Sequence, residues 1–250
     1  MKKALLLCLA LAIPAYSHDH VEVGVSPNDT TQLALDGPSF QLALYVPAGE
    51  VFSSYTPFFP GGYFASELTF TTENSILETA LGADPEIELV SVAGPAGGSF
   101  SFWDVGSSTA TWSRPCGWSQ TSTDRTSFPV ILNGDNHAHG RAFSVDRPGD
   151  YQVTFRTVDR NALFQDSPDF TITFRAQSPP PLSIRLANGQ AVISFTSRPN
   201  LTYELQICTQ LSSGLWSPAL SSSIDGNGNL REITLPLSHP RAFFRLVEFK

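Results

Sequence analysis

The chain has 250 residues, 41% of them hydrophobic and only 15% charged, so it carries the apolar material for a real core and too little charge for a disordered chain. Its formal net charge of -8 argues against an electrostatic grip on nucleic acid or on an anionic membrane surface. The 18 glycines and 19 prolines fall between short apolar runs rather than in one tract, a distribution that suits many turns and many short strands.

The N-terminus reads as a secretory signal. Lys2 and Lys3 form the positive start, Ala4 to Ile13 the apolar segment, and Ala15-Tyr16-Ser17 offers small residues at the positions a signal peptidase inspects. The apolar run is too short to span a bilayer, and Cys8 lies deep inside it. Cleavage after Ser17 removes two lysines and no acid, which takes the charge from -8 to -10 and makes His18 the first residue. No later apolar run reaches spanning length, so the expectation is an exported chain without membrane insertion. Of the remaining cysteines, Cys116 and Cys208, two outcomes stay open: an interdomain disulfide, or two separate buried thiols.

His18 to Val25 alternates with period two, His20, Glu22 and Gly24 on one side and Val21, Val23 and Val25 on the other, and predicts a strand. Ser39 to Val46 predicts another, with Phe40, Leu42 and Leu44 alternating with smaller residues and Pro47 closing it. Phe52 to Phe64 is a loop rich in rings, readable as a small core under a long loop or as an aromatic contact platform. Glu73 to Leu81 carries the spacing of a helix, with Ile76, Leu77 and Ala80 on one face. Glu86 to Val92, Ser99 to Val105 and Phe128 to Leu132 predict strands, Trp112 to Trp118 an irregular loop. The stretch Asp135 to Phe155 joins a histidine-bearing half to a Pro148-Gly149 turn and the alternating run Tyr151, Val153, Phe155. Phe170 to Phe174 supplies the last strand before Pro179-Pro180-Pro181, which cannot join a ladder and favours an extended spacer.

Beyond the prolines, Leu182 to Leu186 and Ala191 to Phe195 flank Asn188-Gly189, a hairpin signal. Leu201 to Gln210 alternates through Tyr203, Leu205 and Ile207; Asp225-Gly226-Asn227-Gly228 is a turn, and Arg241 to Phe249 closes the chain. The expected class is therefore all-β. A larger jelly-roll or immunoglobulin-like sandwich covers 18–176, a Pro-rich linker 177–181, and a smaller fibronectin III-like sandwich 182–250, after the signal peptide at 1–17.

Four of the five histidines lie in two His-x-His pairs, His18/His20 and His137/His139. On a strand, residues i and i+2 face the same way, about 6.6 Å apart, so two imidazoles can share one ion at about 2.0–2.1 Å per bond. Imidazole suits zinc, copper, iron or nickel, and Asp19, Asp104 and Asp135 are carboxylates able to ligate or to orient a ring. If His18 becomes the first residue, its amine and ring together form a copper chelate, as in periplasmic copper carriers that open on His-x-His. His239, beside Pro240, reads as a surface residue. There is no Gly-x-Ser-x-Gly, no His-Glu-x-x-His and no Cys-x-x-Cys.

Phe102-Trp103, His137-Ala138-His139, Ala142-Phe143 and Pro148-Gly149-Asp150-Tyr151 follow one another in an order that resembles the bacterial surface-anchored domain labelled choice-of-anchor M or actinobacterial surface-anchored repeat. The resemblance spans most of residues 18–175, with Arg141 where many members have tryptophan. It implies an exported, envelope-associated protein. Some members are similar to proteins encoded beside metal-type transporters, and no catalytic activity comes with the family. Leu201 to Gln206, Leu215 to Pro218 and Phe243 to Leu246 resemble the fibronectin-like C-terminal modules of exported bacterial proteins.

The leading expectation is an exported, non-enzymatic binding module of the cell envelope. It would hold copper or zinc through His18, His20, His137 and His139, with a ligand or an envelope protein as partner. Two alternatives are an envelope copper or zinc enzyme with an open position at the same site, and a structural or adhesive module that uses the ring-rich loop as its contact surface.

Overall fold

The computed structural model describes residues 19–47, 61–65, 68–72, 77, 82–131, 141–236 and 239–250. The first twelve strands are β1 (Asp19–Ser26), β2 (Asp29–Asp36), β3 (Phe40–Val46), β4 (Gly62–Ala65), β5 (Leu68–Thr71), β6 (Pro85–Ala93), β7 (Ser99–Trp103), β8 (Trp112–Pro115), β9 (Ser127–Pro129), β10 (Ala142–Val145), β11 (Gly149–Asp159) and β12 (Phe170–Gln177). They form a three-stranded sheet, order β2-β1-β5, and a nine-stranded sheet, order β8-β7-β10-β4-β3-β12-β11-β6-β9. The predicted helix over Glu73 to Leu81 lies, apart from the buried Leu77, outside the described residues, as does most of the ring-rich loop.

The large sheet curls. In a flat sheet β7 and β9, seven positions apart in that order, would stand about 33 Å apart, yet the rings of Phe102 and Phe128 stack with centroids 4.4 Å apart. The same curl brings Phe100 of β7 to 5.0 Å from Phe174 of β12. The chain itself bridges the two rims. After β8, Val92 donates to Trp118, Gln120 to Val90 and Leu89 to Thr126, so residues 116–130 run along the open edge of β6. The three-stranded sheet packs over the hollow, and Val21, Val23 and Leu33 enter the same core as Phe70, Phe100, Phe143, Phe155 and Phe174.

Alternation decides what is inside. Tyr151, Val153 and Phe155 on β11 are fully buried, while Gln152 and Thr154 face outward. Gly149 takes φ 135, a region L side chains rarely adopt, and a Cβ there would meet Pro95 Cγ at 2.5 Å, so the turn into β11 requires glycine. One sequence expectation needs correction: Trp112 to Trp118 is not all irregular loop. Trp112–Pro115 is strand β8, an edge strand whose N–H-less Pro115 marks its end. Leu42 and Leu44 of β3 do not join the first core; Ala43 faces it, while they pack outward on the C-terminal unit and Phe40 stays 46% exposed.

The C-terminal unit contains β13 (Ser183–Ala187), β14 (Gln190–Thr196), β15 (Thr202–Cys208), β16 (Ser217–Pro218), β17 (Ile224–Asp225), β18 (Leu230–Pro236) and β19 (Phe243–Phe249). One sheet runs β13-β14-β18; in the other, β15 is flanked by β19 on one edge and by β16 and β17 on the other. Asn188 and Gly189 take φ 52 and 73, the pattern of the two-residue hairpin turn that the sequence signals. No ladder joins these strands to the first twelve.

The two units meet at a built joint. Leu42 and Leu44 pack against the cluster of Ile193, Phe195, Tyr203 and Leu246. Arg198 donates to the Ser178 carbonyl at 2.6 Å, and Ser178 Oγ lies 3.1 Å from Tyr63 Oη, so the segment before the prolines is held from both sides. Arg198 also pairs with Glu248, whose side chain has no exposure, at 3.1 Å. Lys250 Nζ lies 3.7 Å from Asp19.

Candidate metal-binding end

Of the four candidate ligands, His20 is described, while His18, His137 and His139 lie outside the described residues. His20 is half-buried on β1, which runs parallel to β5 with His20 opposite Thr69 and Val21 opposite Phe70. Its Nδ1 lies 4.0 Å from Glu22 Oε1, as the i, i+2 spacing of a strand face requires. Among the described residues no group of three His, Cys, Asp or Glu stands placed to hold a metal.

β1, which carries His20, and β10, which follows His137 and His139 in the sequence, approach each other at one end of the first unit. Phe70, the partner of Val21, lies with its ring 6.2 Å from that of Phe143 on β10. Followed backwards, β1 runs toward Leu68, the partner of Asp19, and β10 runs past Phe143, the partner of Ala65. Both therefore head for the point where the chain passes from Ala65 to Leu68, three residues that span at most about 11 Å.

Arg141 anchors the β10 side. It is 5% exposed and precedes β10 directly. Its Nε donates to Asp104 Oδ1 at 3.0 Å, its Nη1 donates to the Pro129 carbonyl, and its guanidinium lies 5.4 Å from the Phe128 ring centroid and 6.0 Å from that of Phe102. Its buried Nη2 makes no hydrogen bond among the described residues. A guanidinium stays charged, so Asp104 serves here as its counter-ion and is not free to ligate. Asp104 Oδ1 also accepts the Val105 N–H at 2.9 Å. Asp19 is engaged as well: its Oδ2 accepts from Gln41 Nε2 at 3.0 Å. The sequence reading missed the Arg141–Asp104 pair. Its signal was a cation set directly before an apolar strand and an acid set directly after another.

The cysteines do not pair. Cys116 is half-buried and Cys208 buried, and both are free thiols. Burial first, and then the negative charge of Asp146, push the Cys116 thiol up, with Arg147 opposing. A raised thiol pKa leaves less of the thiolate that acts as a nucleophile. No helix among the described residues is long and apolar enough to cross a membrane. No protein-family model matches the chain, and no curated protein matches it.

Proposed function

We propose that this chain is an exported, non-catalytic binding module of the cell envelope, of the surface-anchored type its motifs resemble, and that it holds a transition metal, copper or zinc, at the end where β1 and β10 begin. The ligands are the imidazoles of His18, His20, His137 and His139. The observation that supports the reading is the Phe70–Phe143 contact, which ties the start of β1 to the start of β10. His18 stands one residue before β1 and His137 four residues before Arg141, a stretch that spans at most about 14 Å. Four imidazoles would satisfy the preference of Zn²⁺ and Cu²⁺ for nitrogen donors.

Metal uptake tests this. The chain beginning at His18 is dialysed against Cu²⁺ or Zn²⁺ and its bound metal measured beside that of a His137→Ala/His139→Ala variant. The proposal expects about one ion per chain in the wild type and a loss of at least tenfold in affinity in the variant. Equal, negligible uptake by both ends the metal claim.

A further inference from the structure

On the outer face of the curled sheet lies an open cleft of about 370 Å³. Its lining follows from the alternation of β7. Phe100 and Phe102 point into the core, so Ser101 and Trp103 point out. Register then sets Ser101 directly opposite Ser113 of β8 on one side and Ser144 of β10 on the other. Neighbouring strands lie about 4.8 Å apart, so the three hydroxyls form a row about 10 Å long. Ser108 and Thr109 add two more hydroxyls from the loop between β7 and β8.

The hydrogen bonds leave donors and acceptors turned to the cleft. Ser101 Oγ donates to Ser113 Oγ at 2.9 Å, which leaves the Ser113 hydroxyl hydrogen to be donated elsewhere. Trp103 Nε1 donates to Ser144 Oγ at 2.8 Å, which holds the 3% exposed indole at the base of the cleft beside Ala110 and leaves the Ser144 hydrogen to be donated. Among the described residues no lysine, arginine or histidine lines the cleft, so none of them offers a charge to a phosphate or a carboxylate. Asp146, a carboxylate of the described lining, already accepts the Ser99 N–H at 2.9 Å and faces Tyr151 Oη at 3.3 Å.

We propose that this cleft is a saccharide-binding subsite, in which the Ser113–Ser101–Ser144 row pairs with the hydroxyls of a neutral sugar seated against Ala110 and the exposed edge of Trp103. A neutral, polyhydroxylated ligand matches a row of hydroxyls at repeat spacing beside an apolar base, and the volume admits a short sugar unit. The inference uses none of the histidines and stands or falls apart from the metal reading.

The test is a set of separate calorimetric titrations of the full chain with cellotriose, maltotriose and chitotriose, with inorganic phosphate as the anionic control. The expected result is saturable binding of at least one trisaccharide that phosphate does not displace. A Ser101→Ala/Ser113→Ala variant, with an unchanged thermal midpoint, then binds that sugar about tenfold or more weakly. Should the double variant lose stability, Ser113→Ala alone, at an exposed position, carries the same test with a smaller loss. Failure of all three sugars to saturate at millimolar concentration, or equal binding by wild type and variant, overturns the proposal.

Discussion

Phe70 and Phe143 meet edge to face, their ring centroids 6.2 Å apart and their planes at 70°. One ring belongs to the three-stranded sheet and the other to the curled nine-stranded sheet, so the contact fixes how the two layers sit at the end where β1 and β10 begin.

Phe143 is the hub of the first core, with rings of Phe70, Phe100, Phe102, Phe128, Phe155 and Phe174 around it. Removing a fully packed phenyl leaves a cavity that a curled sheet cannot collapse into. Phe143→Ala is expected to lower stability by about 3–5 kcal/mol, and Phe143→Leu by distinctly less, in urea unfolding followed by tryptophan fluorescence.

Asp159 ties the β11 end to the chain before β6. Burial works to raise its pKa, but backbone N–H donors outweigh it: Asp84 at 2.9 Å, Asn161 at 3.1 Å and Leu163 at 2.8 Å. Its folded pKa lies below the ordinary 3.8, so its stabilisation is complete above that value and is lost as pH falls through the folded pKa. Asp159→Ala is expected to cost about 2–4 kcal/mol at neutral pH, and the penalty should shrink in unfolding curves taken below about pH 3.8.

Glu248 carries the opposite sign. Its burial raises the pKa above 4.5, with Arg198 and the Tyr203 hydroxyl opposing. The folded state therefore takes up a proton more readily than the unfolded chain, and this group's contribution is largest below 4.5 and is lost as pH rises through the folded pKa. Glu248→Gln, which has no charge to bury, should flatten that limb, so that its stability relative to wild type improves as pH rises from 4.5. A constant difference across that window in chemical denaturation would contradict this.

The joint between the units rests on Leu42 and Leu44. Leu44→Ala, at a 5% exposed position, should cost about 2–5 kcal/mol and raise hydrogen exchange across β14, β15 and β19 more than across β11. Exchange changes confined to β3 would contradict the shared core.

Some of this was legible in residue order alone. The period-two runs of β7 and β11 named the buried faces, and Asn188-Gly189 named its own turn, because both depend on local geometry. The alternation of Leu42 and Leu44 was legible, but the surface that buries them was not, because it lies 140 residues away and more, a tertiary contact with no local mark. Trp112–Pro115 read as loop because an edge strand that ends in proline and buries little carries a weak pattern. Arg141 was legible only as a departure from a motif; its role needs the curl that brings Phe102, Phe128 and the Pro129 carbonyl around it.

The most direct measurement of the central claim is a double-mutant cycle on metal affinity. Competition titrations with Cu²⁺ or Zn²⁺ compare wild type, His20→Ala, His137→Ala/His139→Ala and the triple variant, each beginning at His18. If both histidine pairs hold one ion, each variant loses affinity at unchanged stoichiometry, and the losses are non-additive by about 0.5–3 kcal/mol. Strictly additive losses, a second independent ion, or a His20→Ala chain that binds as the wild type does would contradict the account.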